Sequence, residues 1–124
     1  MESHVESGAR VASRTKLVAV AFALLLIHNL DEAFWHREEA NGRLDLLLVF
    51  AVSVVTLFAY PRLGRWVRSI WVGLLGALAA VAAGGGHIAH FFTGNVQPID
   101  YSGFTFFAGG LLLLWVAVKD ATNS

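Results

Sequence analysis

Four apolar runs separated by short polar turns organise this chain. The first begins with eleven unbroken apolar residues, Leu17 to Ile27, and its helical pattern continues to residue 36. A helix over 16–36 would be about 31 Å long, which matches the ~30 Å hydrocarbon core of a bilayer. The polar stretch Arg37 to Arg43, with Asn41-Gly42 as the breaker, separates it from a second helix predicted over 44–60. That helix is almost entirely Leu, Val, Ala and Phe, and carries no evident chemistry. Pro61-Arg62-Leu63-Gly64-Arg65 ends it, and a third helix is predicted over 66–92. Gly76, Ala80 and Gly84 recur there at every fourth residue, a spacing that lets helix backbones approach closely in a membrane. A loop containing Pro98 leads to a fourth helix over 102–119. Residues 1–15 and 120–124 read as polar tails. The expected fold is all-α: one domain, a four-helix transmembrane bundle over 16–119.

Composition supports this class. Apolar residues make up 56% and charged residues 15% of the 124, where a soluble domain carries about 25% charge. The formal net charge is zero, which gives no indication of a nucleic-acid partner. The absence of cysteine excludes disulfides, thiolate ligands and a cysteine nucleophile. Arg10, Arg14 and Lys16 ahead of an apolar run imitate a secretory signal. More apolar spans follow, however, so an uncleaved first helix is the better reading.

The distribution of Lys and Arg gives an expected orientation. With a cytoplasmic N-terminus, seven basic residues lie inside (Arg10, Arg14, Lys16, Arg62, Arg65, Arg68, Lys119) and two outside (Arg37, Arg43). The expectation is a multi-pass protein of a bacterial plasma membrane with both termini cytoplasmic. The first and third helices then both run outward, which brings their polar clusters to the same leaflet.

Those clusters carry the candidate chemistry. His28, Asp31 and Glu32 share one helical stripe with Trp35, and His36 lies at its edge. His87 and His90 share a face of the third helix, just after Gly84-Gly85-Gly86. Asp within a span costs about 2.5 to 3.5 kcal/mol on insertion scales, so such residues usually mark function. By length along each helix, Asp31 and Glu32 stand about 22 to 24 Å beyond Lys16, and His87 about 28 Å beyond Arg68. The expected site is therefore His28, Asp31, Glu32, His87 and His90, either as metal ligands or as acid–base groups. Imidazole with carboxylate suits Zn or Fe. Asp100 reads first as a helix cap, Tyr101 as an interfacial residue, and Glu38 and Glu39 as solvated loop carboxylates. The same groups also admit a bland reading as interfacial polar residues.

His28-Asn29-Leu30-Asp31-Glu32 resembles the signature of the HXXEE-domain family of small bacterial membrane proteins, with Asp31 in place of the first Glu. His87-Ile88-Ala89-His90 and Tyr101-Ser102-Gly103 are similar to that family's downstream histidine and its Tyr-containing loop. The resemblance implies a multi-helix membrane fold and this site location, and it implies no reaction. Three functions stay open at this point. One is a membrane enzyme acting on a lipid-like or other apolar small molecule, with Trp35 shaping its pocket. The second is a transporter or ligand-binding protein, against which the apolar inner halves of the later helices argue. The third is a scaffold whose polar cluster fixes helix packing. The oligomeric state is not readable from the sequence.

Overall fold

The structure, a computed structural model, describes residues 4–35 and 41–122. Helix α1 (His4–Leu30) continues as a π-helical turn, Asp31–Trp35. Helix α2 (Gly42–Ala59) ends in a 3₁₀ turn, Tyr60–Arg62. Helix α3 (Arg65–Ala77) passes through a π-helical segment, Leu78–Gly84, into α4 (Gly85–Thr93), so these three form one span. Helix α5 (Pro98–Thr122) completes four antiparallel spans, each long and apolar enough to cross a membrane. The expected four-helix bundle is thus observed, with longer helices than the apolar runs suggest. Residues 4–15 and 120–122, read as polar tails, are helical. His36, Arg37, Glu38 and Glu39 lie outside the described residues.

The helix ends follow backbone chemistry. Gly94 adopts φ +79°, the left-handed conformation that closes a helix C-terminus, and it stops α4. Pro98 opens α5, where its missing N–H costs no intrahelical bond. Leu63 turns extended after Pro61 and separates α2 from α3.

Helix α5 is the centre of the bundle, packed against α1 on one side and against α3 and its π-helical continuation on the other. Helix α2 is peripheral and rests mainly on α1. Lipid tails are as apolar as leucine, so burying leucine gains little within a membrane, and small residues come to the helix contacts instead. Leu47, Val55 and Phe58 of α2 accordingly face outward, while Ser53, Thr56 and Tyr60 are buried. The expected seam of Gly76, Ala80 and Gly84 packs directly on α5. A Cβ on Gly76 would stand 2.8 Å from Gly110 O, and a Cβ on Gly110 would stand 2.5 Å from Ala80 N. Between the two ends the bundle is filled by Val18, Phe22, Leu25, Val72, Phe106 and Leu113.

The end away from His28 holds a polar cluster that the sequence reading missed. Asp120 is fully buried. Its Oδ1 accepts from Arg14 Nη1 at 2.8 Å, and its Oδ2 accepts from Tyr60 Oη–H at 2.6 Å. Arg68 Nε lies 3.5 Å from Oδ1, within ion-pair reach but not hydrogen-bonded to it. One carboxylate therefore ties α1, the turn after α2, α3 and α5 together. The halves of the later helices away from His28, expected to be apolar, are thus not apolar throughout. Their polar groups close on one another beneath the apolar core.

Removing one partner of a buried ion pair leaves an uncompensated charge and typically costs about 3 to 5 kcal/mol. Asp120→Asn is expected to lower the thermal unfolding midpoint in detergent well below that of wild type. Val118→Ala, at an exposed position of the same helix, is expected to leave it unchanged.

Candidate functional site

The site forms where α1, α4 and α5 meet at the other end of the bundle. Asp100 lies three residues past Gln97, and its Oδ2 accepts from the Gln97 backbone N–H at 2.7 Å. This is the reciprocal arm of a helix cap. Asp100 stands at the third position inside α5 and reaches back to Gln97, rather than serving as the expected N-cap residue ahead of a helix starting at 102. The same carboxylate, fully buried, also accepts from His87 Nδ1 at 2.7 Å and from His90 Nδ1 at 2.9 Å. An ionised carboxylate can only accept, which assigns Nδ1–H to both imidazoles in this arrangement. Asp100 is thus both cap and site residue. A carboxylate at the third position of a helix looks like a cap in sequence, which hides its second role.

His87 and His90 share the α4 face expected from their spacing. The His87 ring lies against Gly103 of α5, where any Cβ would collide with Cβ and Cγ of His87. Glycine at that position is therefore what lets α4 bring its imidazole to Asp100. His87 is mostly buried, and the His90 side chain is 45% exposed, so the group opens to the surface on the His90 side.

His28 is buried and meets His87 edge to face, with ring centroids 4.5 Å apart. The two sequence clusters therefore touch, although α1 and α3 stand on opposite flanks of α5. Ser102 Oγ donates to Asp31 Oδ2 and lies 2.9 Å from His28 Nδ1. With its one proton directed at the carboxylate, the hydroxyl accepts from His28 Nδ1–H, which leaves the lone pair on Nε2. Glu32 Oε2 stands 4.0 Å from that Nε2, one helical turn on. Asp31, Ser102 and His28 form a hydrogen-bonded chain beside the His87–His90–Asp100 group, suited to carrying a proton.

The five residues expected from sequence do not form one ligand set. Among the described residues, the group whose ligand atoms converge within 4.8 Å is His87, His90 and Asp100. His28 touches it by ring contact, Asp31 connects to His28 through Ser102, and Glu32 approaches His28 Nε2. Ser102 lies in the Tyr101-Ser102-Gly103 segment, but nothing in the sequence marked the serine itself as a site residue. Trp35, expected to shape the pocket, is 73% exposed and packs edge to face with Phe34 instead. Tyr101 packs edge to face on Phe91 and lines an open mouth with Asp31, Val96, Gln97, Pro98 and Ser102.

Two imidazoles and one carboxylate meet the donor requirements of Zn²⁺ or Fe²⁺. At the tetrahedral angle of zinc, ligands about 2.0 to 2.1 Å from the metal stand roughly 3.3 to 3.4 Å apart. The observed Nδ1-to-oxygen separations of 2.7 and 2.9 Å are those of hydrogen bonds, so an ion would enter only as the Nδ1 protons leave and the side chains part by about half an ångström. Comparison of the chain with family models, with curated proteins and with solved structures returns no match. The fold and the site define a multi-pass α-helical membrane protein with a His/Asp group that could hold a metal ion.

Gly103→Ala is expected to displace His87 and shift its ring resonances in histidine-labelled protein. Gly86→Ala, where an added Cβ meets nothing within 4 Å, is expected to leave them in place. Equal spectra for the two variants would show that Gly103 does not set the His87 position.

Proposed function

We propose that this chain is a metal-dependent membrane enzyme acting on a lipid-like substrate, with Zn or Fe held by His87, His90 and Asp100. The observation that carries this reading is the convergence of these three side chains, from two helices, around one fully buried carboxylate. Three protein ligands leave coordination positions open, the arrangement of catalytic rather than closed structural sites. A metal in such a site polarises a bound carbonyl or phosphoryl oxygen, or acidifies bound water. His28 Nε2 accepts a proton, and Ser102 and Asp31 relay and stabilise the charge behind it. The mouth beside Ser102 and Tyr101 admits the polar part of the substrate.

Transport is less well supported, because the apolar core fills the bundle between its two polar ends. Arg14, Arg62, Arg65, Arg68 and Lys119 all crowd the end opposite the site. On the positive-inside rule we read that end, with both termini, as cytoplasmic, and the site as facing outward in a bacterial plasma membrane. The HXXEE resemblance belongs to the same proposal, with Asp31 as the variant position.

Elemental analysis of detergent-purified protein after metal loading tests the reading. Wild type and Glu32→Gln are expected to hold about one equivalent of metal. His87→Ala and Asp100→Asn are expected to lose it, by tenfold or more in affinity, while remaining folded by circular dichroism. A folded wild type that holds no metal would rule out the metalloenzyme and favour a packing role for the cluster.

A further inference from the structure

Helix α2 leans on α1 and scarcely touches α3. Near its far end the two are bridged by Trp71 Nε1–H donating to Thr56 Oγ1 at 2.9 Å. Above that bridge they separate, and a cleft of about 240 Å³ opens between them within the spans. Val49 and Val52 of α2 form one wall and Leu78 of the π-helical segment the other, with Phe22 and Leu25 of α1 and Phe106 of α5 behind. The lining is wholly apolar. Phe106 also packs edge to face on His28, with centroids 5.4 Å apart. His28 therefore stands between this cleft, through Phe106, and the open mouth, through Ser102.

We infer that this cleft binds a single acyl chain of a membrane lipid, which enters sideways between α2 and α3. The chain end rests on the Trp71–Thr56 bridge, and the lipid's polar part lies toward the His28 end. From Thr56 to Leu48 the α2 wall is about 12 Å long, close to the roughly 15 Å of hydrocarbon in one leaflet. The cleft thus takes most of the length of one lipid tail and is closed at the far end by a hydrogen bond. In the bilayer the gap between α2 and α3 faces lipid directly, so a chain reaches it without crossing water. This deepens the proposed enzyme reading by naming the substrate class as a lipid with a chain that can be drawn aside from the bilayer. Occupancy of the cleft itself requires no metal.

The test uses the full chain in phosphatidylcholine nanodiscs doped with a phosphatidylcholine that carries a mid-chain diazirine. After irradiation, adducts are mapped by peptide mass spectrometry. Adducts at Val49, Val52 and Leu75, which line the cleft and are less exposed, are expected to exceed those at Val55 and Leu74, which face outward, by severalfold. Val52→Trp and, separately, Leu78→Trp fill the cleft and are expected to abolish that excess while labelling at Val55 and Leu74 persists. Leu78 is 62% exposed, so the second variant tolerates the larger ring. Even labelling of both faces, or an excess unchanged by either tryptophan, would overturn the inference. The same labelling in Asp100→Asn separates the two proposals. Retained cleft adducts in protein that binds no metal support the cleft whatever the outcome for the metal.

Discussion

A carboxylate inside a membrane bundle must be met by donors from the same bundle, and α5 carries one at each end. Asp100 and Asp120 are both fully buried. Hydrocarbon offers no hydrogen bonds, so each stays in place only because other parts of the chain bring N–H or O–H groups to it. Asp120 draws in Arg14, Tyr60 and Arg68, and Asp100 draws in His87, His90 and the Gln97 backbone. Between them they position all the other spans against α5. Interhelical hydrogen bonds in membranes average only about 0.6 kcal/mol each, so their main effect is to select one register among several apolar packings.

The two ends nevertheless differ in kind. At the Asp120 end, the cations and the phenol close on the carboxylate beneath an apolar core. At the Asp100 end, the side-chain donors are imidazoles, one of them nearly half exposed, and an open mouth lies alongside. A guanidinium does not give up its proton, so the first arrangement is suited to holding helices together. Imidazole exchanges protons and binds metals near neutral pH, so the second is suited to chemistry. The backbone is also less regular there, with π-helical turns at Asp31–Trp35 and Leu78–Gly84 on the approaches to the site. Such turns are frequent at functional sites, where they re-aim side chains.

Glycine makes this geometry reachable. Gly103 leaves room for the His87 ring, and Gly110 lets α5 approach the π-helical segment at Ala80. Helix α2 lacks such a seam against α3. It stands away from that helix, and the resulting cleft, with Phe106 between it and His28, gives the polar site an apolar neighbour.

The sequence by itself determined the number of spans, their boundaries to within a turn or so at most ends, the small-residue seam on the third span, and the common end at which His28 and His87 lie. Each of these follows from local periodicity or from the alternation of span direction. It did not determine which polar residues share a partner. Asp100 looked like a cap because it is one, and its bonds to His87 and His90 depend on α4 folding back beside α5 after Gly94. Ser102 gained its place between Asp31 and His28 only from the packing of α1 on α5. Asp120 and Arg14 read as tail residues because charge near a chain end is normally solvated, and only tertiary contact shows that they are buried. Glu32 is the converse case. It lies on the expected stripe, but a stripe about 100° wide spans more than one neighbour, and the packing gave its face to His28 rather than to Asp100.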